Sequence, residues 1–253
     1  MAISFQTLSD RAEAHEAGMS DTLDALVMKS VLYQSGDIDP AAERARPSAA
    51  ATAGRVWLMG EDPRLRPMPS NPSLIDFFKQ RFGPSQHLLQ SARLAVKNGL
   101  DEKTVLACLL HDIAVFGFIR SDHGYWGAQM LEPYVDEEVS WAIRAHQALR
   151  FYPDESVGYE YPEAYLRLFG ADYVPDPFVD RAYQESRKHK WYMTARLVTL
   201  NDLYAFEPGV VVQIEEFEDI IGRNFKQPTE GLGNDNSPST HMWRTIIAPT
   251  KFL

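Results

Sequence analysis

The stretch Leu109-Leu110-His111-Asp112-Ile113 constrains this chain more than any other. Val105, Cys108, Leu109 and Asp112 recur at i, i+3, i+4 and i+7, so Asp112 falls on the helix stripe that faces the core. An ionised carboxylate there is costly unless a charge or a metal compensates it. His111 offers a neutral imidazole from almost the same place. Taken alone, the dipeptide also fits a core histidine beside an Asp held by a protein partner.

The same stripe ends in a ligand-type residue twice more. Val139, Ala142 and Ile143 lead to His146, and Ala195, Val198 and Thr199 lead to Asp202. His123 opens a fourth stripe with Gly127, Met130 and Leu131, and His87 begins a fifth helical segment. Convergence of these ends makes the centre of a helical bundle polar, and a polar centre of this composition calls for a cation.

The rest of the chain frames that bundle. Its 253 residues are 45% apolar, enough for one large core with extensions. No apolar run approaches the roughly 18 residues of a membrane span, and the N-terminus lacks a secretory pattern. Cys108 is the single cysteine and excludes an intramolecular disulfide, which fits a reducing cytoplasm. The net charge of −10 argues against a nucleic-acid surface. Few segments alternate with period two, so the fold class is all-α. Helices are expected near 73–82, 86–98, 102–113, 122–133, 136–149, 161–169, 177–206 and 214–225. Asp101 caps the third, Gly99 ends the second, and Asp136 opens the fifth. Residues 1–70 read as an N-terminal helix and an irregular, proline-punctuated strap, 71–226 as the helical domain, and 227–253 as a tail. Trp243, Ile246, Ile247 and Phe252 would pin that tail to the body. Lys188-His189-Lys190 reads as a solvated face of one long helix that also carries Asp202. His15 and His241 read as peripheral.

The order His87, His111-Asp112, Asp202 resembles the H…HD…D pattern of the HD-domain superfamily. Asp122-His123-Gly124 and Ala145-His146-Gln147 are similar to the third- and fourth-histidine segments of its two-metal members. The resemblance covers roughly residues 73–210. It implies six metal ligands: His87, His111, Asp112, His123, His146 and Asp202. Asp112 would bridge both metals, with His87, His111 and Asp202 completing one site and His123 and His146 holding the other. Within the superfamily, the set resembles the mixed-valent di-iron oxygenases of the myo-inositol oxygenase and hydroxyphosphonate-cleaving type. It also resembles a subset of metal-dependent phosphohydrolases.

Two features favour the oxygenases. The segment from His87 to Ala95 is similar to the first-histidine helix of the phosphonate-cleaving enzymes, and Arg150-Phe151-Tyr152 falls where those enzymes place a basic and aromatic substrate contact. Arg150 lies one helical turn beyond His146, where a guanidinium would point at an anion held on the metals. It also fits a surface ion pair. Gln90, Tyr152, Val115 and Phe116 join Arg150 as candidate substrate contacts, with Asp112 and Arg150 as the catalytic pair. Val115 stands where many relatives carry Lys or His, and no serine-rich substrate loop follows Arg150. Both departures favour a less charged, partly apolar substrate.

The resemblance thus implies two iron ions, Fe(II)/Fe(III), with manganese or another divalent metal as the alternative. It implies dioxygen and a small hydroxylated, anionic molecule as partners, with a homodimer left open. A phosphohydrolase acting on a nucleotide or phosphate ester is the second reading, and a metal-stabilised binding protein without catalysis the third. The same six residues serve either catalytic route.

Overall fold

The computed structural model describes residues 68–82, 85–114, 122–205, 207 and 209–247. The N-terminal helix and most of the strap, His15, Val115, Phe116, Phe118 and Phe252 lie outside the described residues. The rest is helical, with no strand among the described residues and one isolated bridge between Asp154 and Tyr159.

The helices are α1 Leu74–Gln80, α2 Ser85–Lys97, α3 Glu102–Leu110, α4 His123–Leu131, α5 Glu137–Leu149, α6 Glu163–Phe169, α7 Pro177–Ser186, α8 Tyr192–Leu203, α9 Glu218–Asn224 and α10 Thr240–Ile247. A 3₁₀ turn over Ile214–Phe217 leads into α9. Short polar side chains set the starts. Ser73 and Asp76 form a reciprocal capping box on α1, Asp101 accepts from the backbone N–H groups of Lys103 and Thr104, and Asp136 accepts from that of Glu138. Gly99 takes φ +70° after α2, the left-handed conformation expected of a helix-ending glycine.

The centre of the domain is α5, which packs against α4, α8, α3 and α7; α8 also lies against α2 and α3. The buried faces follow the stripes: Val105, Cys108, Leu109, Val139, Ala142, Ile143, Ala195 and Val198 are all inaccessible or nearly so. No described helix is long and apolar enough to cross a membrane.

One long helix over 177–206 does not form. The chain turns between α7 and α8, so Lys188-His189-Lys190 belongs to the corner and not to the Asp202 helix. Neither proline nor glycine marks this break; a tertiary contact does. The His189 ring stacks on Trp141 of α5 at 3.9 Å between centroids and 13°, and its Nδ1 accepts from the Trp191 N–H. His189 is therefore half-buried, while Lys188 and Lys190 are exposed.

The tail follows a fixed path. The Leu232 N–H donates to the Pro72 carbonyl at 2.7 Å, and α10 delivers Trp243 into the core. Its indole N–H donates to the Met130 carbonyl at 3.0 Å, and its ring meets Phe77 edge-on at 5.2 Å. Replacing Trp243 with Ala leaves a cavity and removes one of two hydrogen bonds to the Met130 carbonyl, the other coming from the Ser239 hydroxyl. The expected loss is about 3–5 kcal/mol in chemical denaturation, the usual range for a buried large aromatic; a change below about 1 kcal/mol would show that the tail does not brace the domain.

Candidate metal centre

Five segments deliver six ligand-type side chains to one place. His87 comes from α2, His111 and Asp112 from the turn that ends α3, His123 from the first residue of α4, His146 from the last turn of α5, and Asp202 from the last turn of α8. All six are buried, His111 and His146 completely. The close approach of α4 to α5 depends on Gly124. A Cβ there would lie 2.9 Å from the Ile143 carbonyl oxygen, and the Gly124 N–H donates to the Gln147 side chain. This contact brings His123 Nε2 to 3.2 Å from His146 Nε2.

Asp112 lies between two histidine pairs. Its Oδ1 is 3.0 Å from His123 Nε2 and 3.6 Å from His146 Nε2. Its Oδ2 is 3.6 Å from His111 Nε2 and 3.9 Å from His87 Nε2. Asp202 serves one side only: Oδ1 is 2.8 Å from His87 Nε2 and 3.5 Å from His111 Nε2, while Oδ2 faces Arg150 Nε at 3.4 Å. Two groups have ligand atoms all within 4.8 Å of one another: His87, His111 and Asp202, and His111, Asp112 and His146.

The imidazole tautomers follow from the backbone. His111 Nδ1 lies 2.7 Å from the Cys108 carbonyl and His146 Nδ1 lies 2.6 Å from the Ile143 carbonyl. A carbonyl only accepts, so each Nδ1 carries the hydrogen and each Nε2 turns inward. The inward Nε2 of a neutral His146 is a lone pair facing a carboxylate oxygen and another imidazole nitrogen. His111 Nε2 is likewise buried without a hydrogen bond, facing oxygens of Asp112 and Asp202. Ring nitrogens and carboxylate oxygens packed this closely need a cation among them, a proton on His111 in the metal-free protein or a metal in its place. Nitrogen and oxygen donors without thiolate suit a divalent transition metal. The residues fit a metal centre.

The titrations carry the same message. Burial alone would lower the His111 pKa, but the facing Asp112 and Asp202 carboxylates outweigh it and raise the pKa to about 9. Burial lowers His146 to about 4, with the neighbouring His123 and His111 adding to the effect and Asp112 opposing it. Burial opposes ionisation of Asp112 and Asp202 too, yet the adjacent His and Arg charges hold both far below the ordinary carboxylate range. Cys108 is buried, its thiol pushed up to about 12, and it is not a thiolate ligand.

The structure treats the candidate substrate residues unequally. Arg150 is buried and directed inward, close to Asp202 and over the Tyr165 ring at 5.0 Å. Tyr152 turns to α7, stacked on Tyr183 at 3.7 Å with its hydroxyl donating to Asp180, so it is not brought to the cluster. Gln90 is spent on the chain that follows α8: its amide donates to the Glu207 and Val210 carbonyls and its oxygen accepts from the Glu207 N–H. Gln86, one turn earlier, clasps Val212 in the same way.

Residues 85–167 match the family model described as HD domain. The chain contains an HD domain. Over 78 residues it is 32% identical to [1-hydroxy-2-(trimethylamino)ethyl]phosphonate dioxygenase (glycine-betaine-forming) from Leisingera caerulea. That match covers 27% of this chain and 40% of the relative's length.

Sequence reasoning missed Arg196 and Tyr159, which brace this site from behind. Arg196 is fully buried on α8, beside Ala195 of the stripe that ends at Asp202. A charged residue adjoining a buried stripe was a signal in the sequence; its pairing with Tyr159 was not, because nothing local connects them.

The raised His111 pKa sets an expectation for metal uptake. At pH 7 the metal-free protein holds a proton on His111, and a metal at Nε2 must displace it. Uptake should therefore release close to one proton at this ring and weaken by about tenfold per pH unit below about 9. Titration calorimetry in buffers of different ionisation enthalpy reads the release. Uptake without proton release would mean that His111 does not bind the metal.

Proposed function

We propose that this chain is a di-iron oxygenase that oxidises or cleaves a small hydroxylated, anionic substrate at the carbon bearing the hydroxyl. The observation that carries the reading is the division of Asp112 between two histidine pairs, one oxygen facing His123 and His146, the other His111 and His87. A carboxylate so placed suits a bridge between two ions. His87, His111 and Asp202 would complete one position, His123 and His146 the other. The partial likeness to a relative named as a dioxygenase acting on a hydroxylated phosphonate supports dioxygen chemistry over hydrolysis.

When bound, an iron pair would supply redox chemistry and activation of dioxygen. The protein's own residues do the rest. Backbone carbonyls of Cys108 and Ile143 lock two imidazoles with Nε2 inward. Asp202 divides its carboxylate between the histidines and Arg150. Arg150 puts a fixed positive charge at the edge of the cluster, where a planar guanidinium recognises a carboxylate, phosphonate or phosphate oxygen. The substrate anion would dock there with its hydroxyl toward the metals. Burial of all six side chains limits water at the reacting carbon.

The test is metal analysis with electron paramagnetic resonance on full-length protein loaded with iron without oxygen and then partly oxidised. An antiferromagnetically coupled Fe(II)/Fe(III) signal is expected, lost in Asp112→Ala together with at least one iron. Steady release of phosphate from nucleotides or phosphate esters with manganese, and no mixed-valent signal with iron, would replace this reading with a phosphohydrolase.

A further inference from the structure

The end of α5 raises a question that the metal cluster does not answer. A helix leaves its last carbonyls without intrahelical partners, and a left-handed glycine after the last turn commonly satisfies them. The chain after Leu149 reads Arg150-Phe151-Tyr152, has no glycine, and adopts no positive φ. The Phe151 and Tyr152 N–H groups bond back to the Ala148 and Leu149 carbonyls at 3.3 and 3.2 Å, and a buried arginine from another helix adds donors to the turn. Arg196 NH1 donates to the Leu149 carbonyl at 3.0 Å and to the Tyr152 carbonyl at 3.1 Å. Between them, the Arg150 carbonyl accepts from the Tyr159 hydroxyl at 3.0 Å. The Arg196 guanidinium lies over the Tyr159 ring at 5.0 Å, so the two clamps support each other. Arg196 Nε also faces Asp154 Oδ2 at 3.4 Å and donates to the Tyr192 hydroxyl, which bonds Asp154 in turn.

Burying an arginine is expensive when a glycine would cap the helix. The expense has an outcome at the site. All three held carbonyls belong to Leu149, Arg150 and Tyr152, and the side chain they orient is that of Arg150. A glycine solution would turn the chain differently and move that side chain. His146, one turn back, is tied to α8 as well: the Thr199 hydroxyl lies 3.4 Å from its carbonyl.

We propose that Arg196 is a positioning residue of the metal centre: by clamping the carbonyls around Arg150, with Tyr159 as its second jaw, it holds the Arg150 guanidinium against Asp202. The proposal rests on the reading of Arg150 and the six ligand-type residues as one site. Arg150 competes with a metal for the charge of Asp202, so its position sets how tightly the His87, His111 and Asp202 position binds an ion. Arg196 acts only through Arg150.

A double-mutant cycle on the full chain, with Mn²⁺ alone as probe, tests this. Arg150→Gln removes the competing charge and should tighten Mn²⁺ binding by about threefold or more, the low end of couplings between neighbouring groups. Arg196→Gln should change affinity in the same direction by releasing Arg150, and should change nothing further in the Arg150→Gln background. Tyr159→Phe, which deletes only the hydroxyl, should give a smaller shift of the same kind, and Arg196→Lys should recover part of the wild-type value. A merely structural Arg196 would weaken Mn²⁺ binding equally in both backgrounds. That result, or no change in either, overturns the proposal. If Arg196→Gln does not fold, Tyr159→Phe and Arg196→Lys carry the same cycle. If wild-type protein takes up no metal, the proposed function falls, and the cycle is read on the denaturation midpoint of the metal-free protein. There a non-additive Arg150–Arg196 pair upholds the clamp and an additive one removes it.

Discussion

Everything in this domain depends on keeping the Asp112 carboxylate charged inside a helical core. Four imidazoles approach it at 3.0 to 3.9 Å. Each comes from a different segment, so the helices cannot be rearranged without uncovering a buried charge, a change that costs several kcal/mol. The constraint explains why α4 approaches α5 through a glycine, and why α3 stops as soon as it has presented His111 and Asp112. The apolar stripes decide which faces meet. The carboxylate decides where along those faces they must stop.

That logic places the demand for precision on the end of α5, which carries both His146 and Arg150. The turn that follows it is clamped by a side chain from α8, the helix that also carries Asp202. One rigid element thus supplies a ligand and the clamp on the residue that pairs with that ligand. Relative movement of α5 and α8 would disturb both together, which makes their contact the mechanical reference of the site.

Much of this was legible in the sequence. Periodicity placed the stripes, and the ligand-type residues at their ends are those that converge, because a 3.6-residue period fixes which side chains share a buried face. The caps at Asp101, Gly99 and Asp136 were equally local and equally readable. What escaped is tertiary in origin. The α7–α8 corner is set by His189 stacking on Trp141, far away in the chain, so the local pattern of 177–206 reads as continuous. Tyr152 and Gln90 sit at helical spacings that permit an inward aim, but Tyr183 and the 207–210 backbone claim them. Arg196 lay outside the reading because a sequence shows a charge on a core helix without showing the carbonyls that justify it.

The charge balance of the cluster bears on what it can hold. With its imidazoles neutral, the centre has two carboxylates and the Arg150 guanidinium among the described residues, −2 + 1 = −1. Two divalent ions would turn that into +3 in a buried place, where charge is poorly screened. A neutral substrate would leave this excess in the core, whereas an anion that chelates through a hydroxyl relieves it. Arg150 adds to the excess without neutralising anything on the His123 and His146 side, which among the described residues has no carboxylate beyond the Asp112 oxygen it shares. On the proposed reading, an incoming anion would be favoured where the protein supplies the fewest negative ligands, with Arg150 biasing it from the other side. Under the proposed function, the asymmetry between a carboxylate-rich position and an imidazole-rich one would orient such an anion across the pair.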